Sequence, residues 1–84
     1  MNNGRMEWKL NELMVRAKEK FNVRVTGQDL ATHIGCSKTT ISAIRNNQTS
    51  RPDERIMAGI LSYFSNLLNE DLTTNDLWEF VVED

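Results

Sequence analysis

The chain is short of nearly everything that would complicate its architecture. It has one cysteine, Cys36, and one histidine, His33, so it cannot close an intramolecular disulfide and sets no second imidazole or thiol at ligand spacing; no metal or cofactor is expected. No apolar run approaches the roughly 18 residues that a membrane span requires, and no secretory leader is legible, which points to a cytoplasmic protein without a membrane role. One proline and four glycines leave few places for a linker, and there is no repeat or low-complexity tract, so residues 1–84 read as a single domain. A domain of 84 residues buries only about 60% of the surface its unfolded chain exposes. A deep catalytic pocket would compete with the core for side chains.

Basic residues are missing from one end. All ten Lys and Arg lie within 1–55 beside six acids, while 56–84 carries six acids and no base, for a formal net charge of −2. An electrically two-sided molecule is expected. The sequence pI near 5.3 argues against indiscriminate binding to nucleic acid, although the local field counts for more than the total where a surface docks phosphates.

What is present is helical periodicity with clear punctuation. Leu10, Leu13, Met14, Ala17 and Phe21 recur on one face and predict an amphipathic helix from about Lys9 to Phe21, stopping near Asn22. Thr26 and Asp29 stand three apart, the spacing of a capping box with Asp in the Glu place, ahead of a short helix that buries Leu30, Ala31 and Ile34 and ends at Gly35. Ser37 caps a third helix from about Lys38 to Asn46, with Ile41 and Ile44 inward. Pro52 suits the first position of a fourth, with Asp53 and Glu54 in its first turn and Ile56, Ile60, Leu61, Phe64, Leu67 and Leu68 as its stripe. Thr73 to Asp76 starts a short fifth helix carrying Leu77, Trp78 and Val81. Met6 to Trp8 and Phe80 to Val82 fit two arrangements equally: a small antiparallel ribbon, or Trp8 and Phe80 capping the helical core. The fold class is therefore all-α, a compact five-helix bundle with or without that ribbon.

Two short helices joined by Gly35-Cys36-Ser37 form a helix-turn-helix, in which the first helix braces a second that enters the DNA major groove. The run TGQDLATHIGCSKTTISAIRNNQTSRPD over residues 26–53 resembles the Cro and phage-repressor (Xre-like) family of bacterial DNA-binding regulators, through Leu30-Ala31, Gly35, Ser37, Ile41, Ser42, Ile44, Asn46 and Arg51-Pro52. Trp8 to Met14 is similar to the opening of small Xre-like regulators, and Asp76 to Val81 to their closing segment. Three positions depart from the pattern. Gly27 stands where the family has Gln, with Gln28 one place later; Asn47 replaces a glycine; Arg45 replaces a common Glu and adds positive charge.

The resemblance implies a phage-repressor-type fold and double-stranded DNA as partner. It sets Ser37, Lys38, Thr39 and Ser42 at base edges, Lys38 foremost because an ammonium donates to the acceptors of guanine. Gln28, Thr40, Arg45, Asn46 and Arg51, with Arg24 beside them, go to phosphates, and Ala43 allows close approach. Cys36 takes the place of a small core residue. Repression by occupying promoter DNA is the expected mode, with activation left open. Half-sites one helical turn apart imply a homodimer, at least on DNA, for which Tyr63, Trp78, Phe80 and Val82 are the candidate contacts. The alternative is a protein-interaction module, an antitoxin or adaptor that uses the acidic C-terminal half to hold a protein partner. An enzyme is not expected: Thr39, Thr40 and Ser42 lack a base arranged as a nucleophile needs, and the carboxylates mostly fall at helix starts.

Overall fold

A computed structural model describes residues 3–48 and 53–83. In chain order it has β1 (Asn3–Trp8), α1 (Leu10–Phe21), α2 (Gly27–Ile34), α3 (Lys38–Arg45), α4 (Glu54–Leu68), α5 (Thr74–Leu77) and β2 (Trp78–Glu83). The fold is mostly α, five helices with one two-stranded antiparallel sheet.

The inward stripes are those the periodicity selects. Leu10, Leu13, Met14 and Ala17 of α1 are buried together with Leu30 and Ala31 of α2, Ile41 and Ile44 of α3, Ile60, Phe64 and Leu68 of α4 and Leu77 of α5. Phe64, fully buried near the middle of the longest helix, is the largest of them, and each such side chain contributes about 1.5–3 kcal/mol by leaving water. Phe21 departs from the expected stripe, at 46% exposed. It is the last residue of α1; the chain leaves the helix at Asn22, whose φ of 55° is left-handed, and Val23 and Val25 enter the core in its place. The Phe21 ring instead lies 5.7 Å from the Lys20 ammonium.

Three asparagines, Asn22, Asn47 and Asn69, take positive φ after α1, α3 and α4, the conformation that Asn tolerates best after glycine. The start of α4 differs from the expected one. It opens at Glu54, and Asp53 is extended and caps it, its Oδ1 accepting the Arg55 N–H at 2.8 Å. An aspartate satisfies an otherwise unpaired helical donor from the cap position, which the first turn does not offer it. Pro52 and Arg51 lie outside the described residues.

The fifth helix is shorter than its pattern suggests. It ends at Leu77, and Trp78 and Val81 belong to β2. Aromatic and β-branched residues from 78 to 82 suit a pleated strand, and β1 provides the partner, in register from Asn3↔Glu83 through Met6↔Phe80 to Trp8↔Trp78. The ribbon is therefore the arrangement adopted. The ladder runs on into Lys9, whose N–H donates to the Leu77 carbonyl at 2.6 Å. Trp8 packs against the core and stacks on Trp78 with centroids 5.4 Å apart, whereas Phe80 is 62% exposed and does not cap it.

Charge is less cleanly divided than the sequence suggests. Arg16 and Lys20 of α1 reach Glu70 at 3.7 and 3.4 Å, and Lys9 reaches Glu79 at 3.4 Å. Folding sets part of the acidic half directly against part of the basic half. These exposed pairs contribute little stability, but they remove three cations from the pool that could meet an anionic partner.

Candidate nucleic-acid interface

The helix pair α2–α3 is held in place from both ends. The Thr26 hydroxyl accepts from the Asp29 N–H at 3.1 Å, and Asp29 Oδ2 accepts from the Thr26 N–H at 3.0 Å. The bond from the Thr26 N–H, with the Thr26 side chain beside it, holds the Asp29 carboxyl below its ordinary range. Gly27, the first residue of α2, is buried, with the Ile41 side chain at van der Waals distance from where a Cβ would stand. The turn follows at Gly35, φ 84°, where the N–H groups of Gly35 and Cys36 both close on the Ala31 carbonyl at 2.8 and 3.0 Å. Cys36 is half-buried against the core.

From α4, Arg55 donates to the Ile34 and Gly35 carbonyls at 3.3 and 3.1 Å and clamps the turn. Gly59, also on α4, leaves space for Ile34: a Cβ there would stand 2.8 Å from Ile34 Cγ1. The lower edge of α2 carries one further ring contact, His33 edge-on to Tyr63 at 5.1 Å. Burial raises the Tyr63 hydroxyl above its ordinary range, with the Asp29 charge adding to the effect.

Ser37 starts α3, its Oγ accepting from the Thr40 N–H at 3.1 Å and sharing a second hydrogen bond with Thr40 Oγ1 at 2.8 Å. With Ile41 and Ile44 turned into the core, the opposite side presents Lys38, Thr39 and Ser42. All three are exposed, and their side chains hydrogen-bond to nothing among the described residues. Ala43 is half-buried and Asn46 is the exposed C-cap.

Next to this face, α1, α3 and the segment after α1 enclose an open cleft of about 550 Å³ lined by Lys18, Arg24 and Arg45, with Asn11, Val15 and Glu19. Arg45 is held in position: its Nε donates to Asn11 Oδ1, and Asn11 Nδ2 returns a bond to the Arg45 carbonyl, both at 3.1 Å. Lys18 Nζ bonds Asn22 Oδ1 at 2.9 Å. Lys18, Arg24, Lys38 and Arg45 form no ion pair among the described residues, and the sequence from Leu30 to Pro52 contains no Asp or Glu. Cations outside any such ion pair, set next to the side-chain donors of α3, can bind an anionic polymer and leave hydrogen-bonding groups over for its edges.

The structure brings together most of the residues singled out from sequence, on one helix face and the cleft beside it. Ser37 and Thr40 are engaged with each other at the helix start, and Gln28 sits on α2 with its Nε2 on Thr32 Oγ1 at 3.0 Å; Arg51 falls outside the described residues. Sequence reading missed Lys18, the Asn11 brace, the Arg55 clamp and the side chain of Asn47, whose Oδ1 accepts the Trp8 N–H at 3.1 Å and so ties the end of α3 to the ribbon. The brace, the clamp and the Asn47 tie span 20 to 39 residues, and no local spacing announces them. Of the expected dimer contacts, Tyr63 packs on His33 and Phe64 and Trp78 on Trp8, leaving Phe80 and Val82 as the two widely exposed members. Compared with known proteins, the chain matches no family model, no curated protein and no solved structure.

Proposed function

We propose that this chain is a sequence-specific regulator of transcription that binds double-stranded DNA through a helix-turn-helix of the Cro and phage-repressor type, with α2 bracing and α3 entering the major groove. The observation that carries the reading is the face of α3: Lys38, Thr39 and Ser42 are exposed and their side chains have no hydrogen-bond partner among the described residues, within a stretch free of acids. Lys38 donates to guanine O6 and N7, Thr39 meets a base edge or a thymine methyl, and Ser42 hydrogen-bonds whichever edge lies opposite. Arg45, Arg24 and Lys18 take phosphates along the cleft and fix register without reading sequence. The Ser37 and Thr40 hydroxyls and the Thr40 N–H serve the helix cap, so the backbone N–H groups that suit a phosphate at the start of α3 are those of Lys38 and Thr39. The acidic C-terminal half faces away from DNA, and occupation of a promoter represses it.

The test is selection from a pool of random duplexes followed by fluorescence anisotropy at several salt concentrations. Enrichment of a defined site is expected, with log affinity falling against log salt at a slope near −3 per bound chain for three phosphate-contacting cations, at about −0.9 each. Absence of both enrichment and salt dependence rejects the reading and favours a protein partner for the acidic half.

A further inference from the structure

The cations of the chain are held in two chemically different ways. Away from the cleft, Arg5, Lys9, Arg16 and Lys20 are each paired with a carboxylate, that of Glu7, Glu79 or Glu70. At the cleft, Lys18 and Arg45 are held by uncharged amides: Lys18 Nζ donates to Asn22 Oδ1 at 2.9 Å and Arg45 Nε to Asn11 Oδ1 at 3.1 Å. Glu19 lines the same cleft, yet neither cation pairs with it. A carboxylate fixes a cation and neutralises it, whereas an amide fixes it and leaves the charge whole.

Asn11 grips one residue at two points. While its Oδ1 accepts from the guanidinium, its Nδ2 donates to the Arg45 carbonyl at 3.1 Å. That carbonyl belongs to the last residue of α3 and has no partner within the helix. Backbone and side chain of Arg45 are thereby closed into a ring with a side chain of α1. The ring needs a donor and an acceptor on one side chain; Asn has both, and an ionised Asp has acceptors only. With Nε engaged, Nη1 and Nη2 of Arg45 have no hydrogen-bond partner among the described residues and remain as an end-on fork for one phosphate.

We infer that Asn11 and Asn22 are positioning residues of the nucleic-acid interface, which order Arg45 and Lys18 ahead of binding and leave their charges free for phosphate. The inference rests on the DNA reading proposed above and adds to it two side chains that act through their cations. A long cationic side chain ordered only on binding costs affinity, and one ordered beforehand does not. Asn11 gives the cleaner test, because Asn22 also holds the left-handed backbone after α1.

The test joins NMR of the free full chain to anisotropy titrations on a duplex enriched by selection. In the free protein the Arg45 Nε–H is expected to exchange with solvent more slowly in the wild type and in Asn11→Asp than in Asn11→Ala. Asn11→Ala weakens every duplex alike by about two- to tenfold, keeps the salt slope near the wild-type value, and has no further effect in an Arg45→Ala background. Asn11→Asp keeps the bond to Nε but neutralises the cation, so the slope falls by about 1. Asn22→Gly, which keeps the left-handed backbone, stands in the same relation to Lys18→Ala as Asn11→Ala does to Arg45→Ala. Urea melts report each variant folded under the titration conditions. Asn11→Ala binding as tightly as the wild type, its full loss persisting in Arg45→Ala, a wild-type slope in Asn11→Asp, or an Arg45 Nε–H no better protected in the wild type than in Asn11→Ala overturns the inference alone. A wild type that binds no duplex at any salt concentration overturns the DNA reading as well.

Discussion

Asn47 performs two tasks that substitution separates. Its φ of 57° is the conformation in which glycine and asparagine are least strained, and its side-chain oxygen receives the Trp8 N–H, joining the end of α3 to β1. Asn47→Gly keeps the backbone conformation and removes the oxygen, at a cost of about 1 kcal/mol for one hydrogen bond. Asn47→Ala loses the oxygen and also forces a Cβ into the left-handed region, adding about another 1 kcal/mol. For a domain of this size the two variants melt roughly 4–8 °C and twice that below the wild type. Urea denaturation gives the free energies, and amide hydrogen exchange at Trp8 shows whether the tether is the cause, since exchange there accelerates in both variants. Asn47→Gly as stable as the wild type, with Trp8 exchanging no faster, refutes the tether; equal losses in the two variants refute the backbone argument.

Other perturbations follow from the clamp, the helix contact and the cap. Arg55→Ala removes both bonds to the α2–α3 turn and lowers stability by about 1 kcal/mol in urea melts, with Arg55→Lys intermediate. Gly59→Ala gains about 1 kcal/mol of helix propensity but loses about 1–3 kcal/mol to the Ile34 clash, a net destabilisation. In combination with Ile34→Ala the loss is smaller than the sum of the two single losses, which a double-mutant cycle reads directly. Asp29 has a folded-state pKa below its unfolded value of about 3.9, so its contribution is complete above that value and disappears as pH falls through the lower folded value. Asp29→Asn therefore flattens the acid limb of the stability curve while leaving the slope near neutrality unchanged.

What could be read in the sequence was what depends on neighbours along the chain. The face shared by Leu10, Leu13, Met14 and Ala17, the Thr26–Asp29 box, the turn at Gly35 and the Ser37 cap are all set within one or two helical turns, and each stands where its spacing puts it. Phe21 was misplaced because periodicity does not say where the partner elements end. Trp78 and Val81 were misplaced because strand pairing with β1 across the whole chain outweighs a helix start at Thr73. The same holds for the interface: the exposed side of α3 follows from the burial of Ile41 and Ile44, whereas Asn11 bracing Arg45 and Arg55 clamping the turn exist only once α1 and α4 have packed. Pairing of Glu70 with Arg16 and Lys20 likewise blurred a charge division that composition alone made look clean.

In the function proposed above, α3 reads DNA while the neighbouring cations hold it. On the duplex enriched by selection, anisotropy titrations of Lys38→Ala and Arg24→Ala against single-base variants of the site separate the two roles. Lys38→Ala is expected to abolish the preference at one base pair, worth about 1–3 kcal/mol. Arg24→Ala instead weakens every sequence alike and reduces the salt slope by about 1. Unchanged base preferences in Lys38→Ala, together with an unchanged salt slope in Arg24→Ala, contradict it.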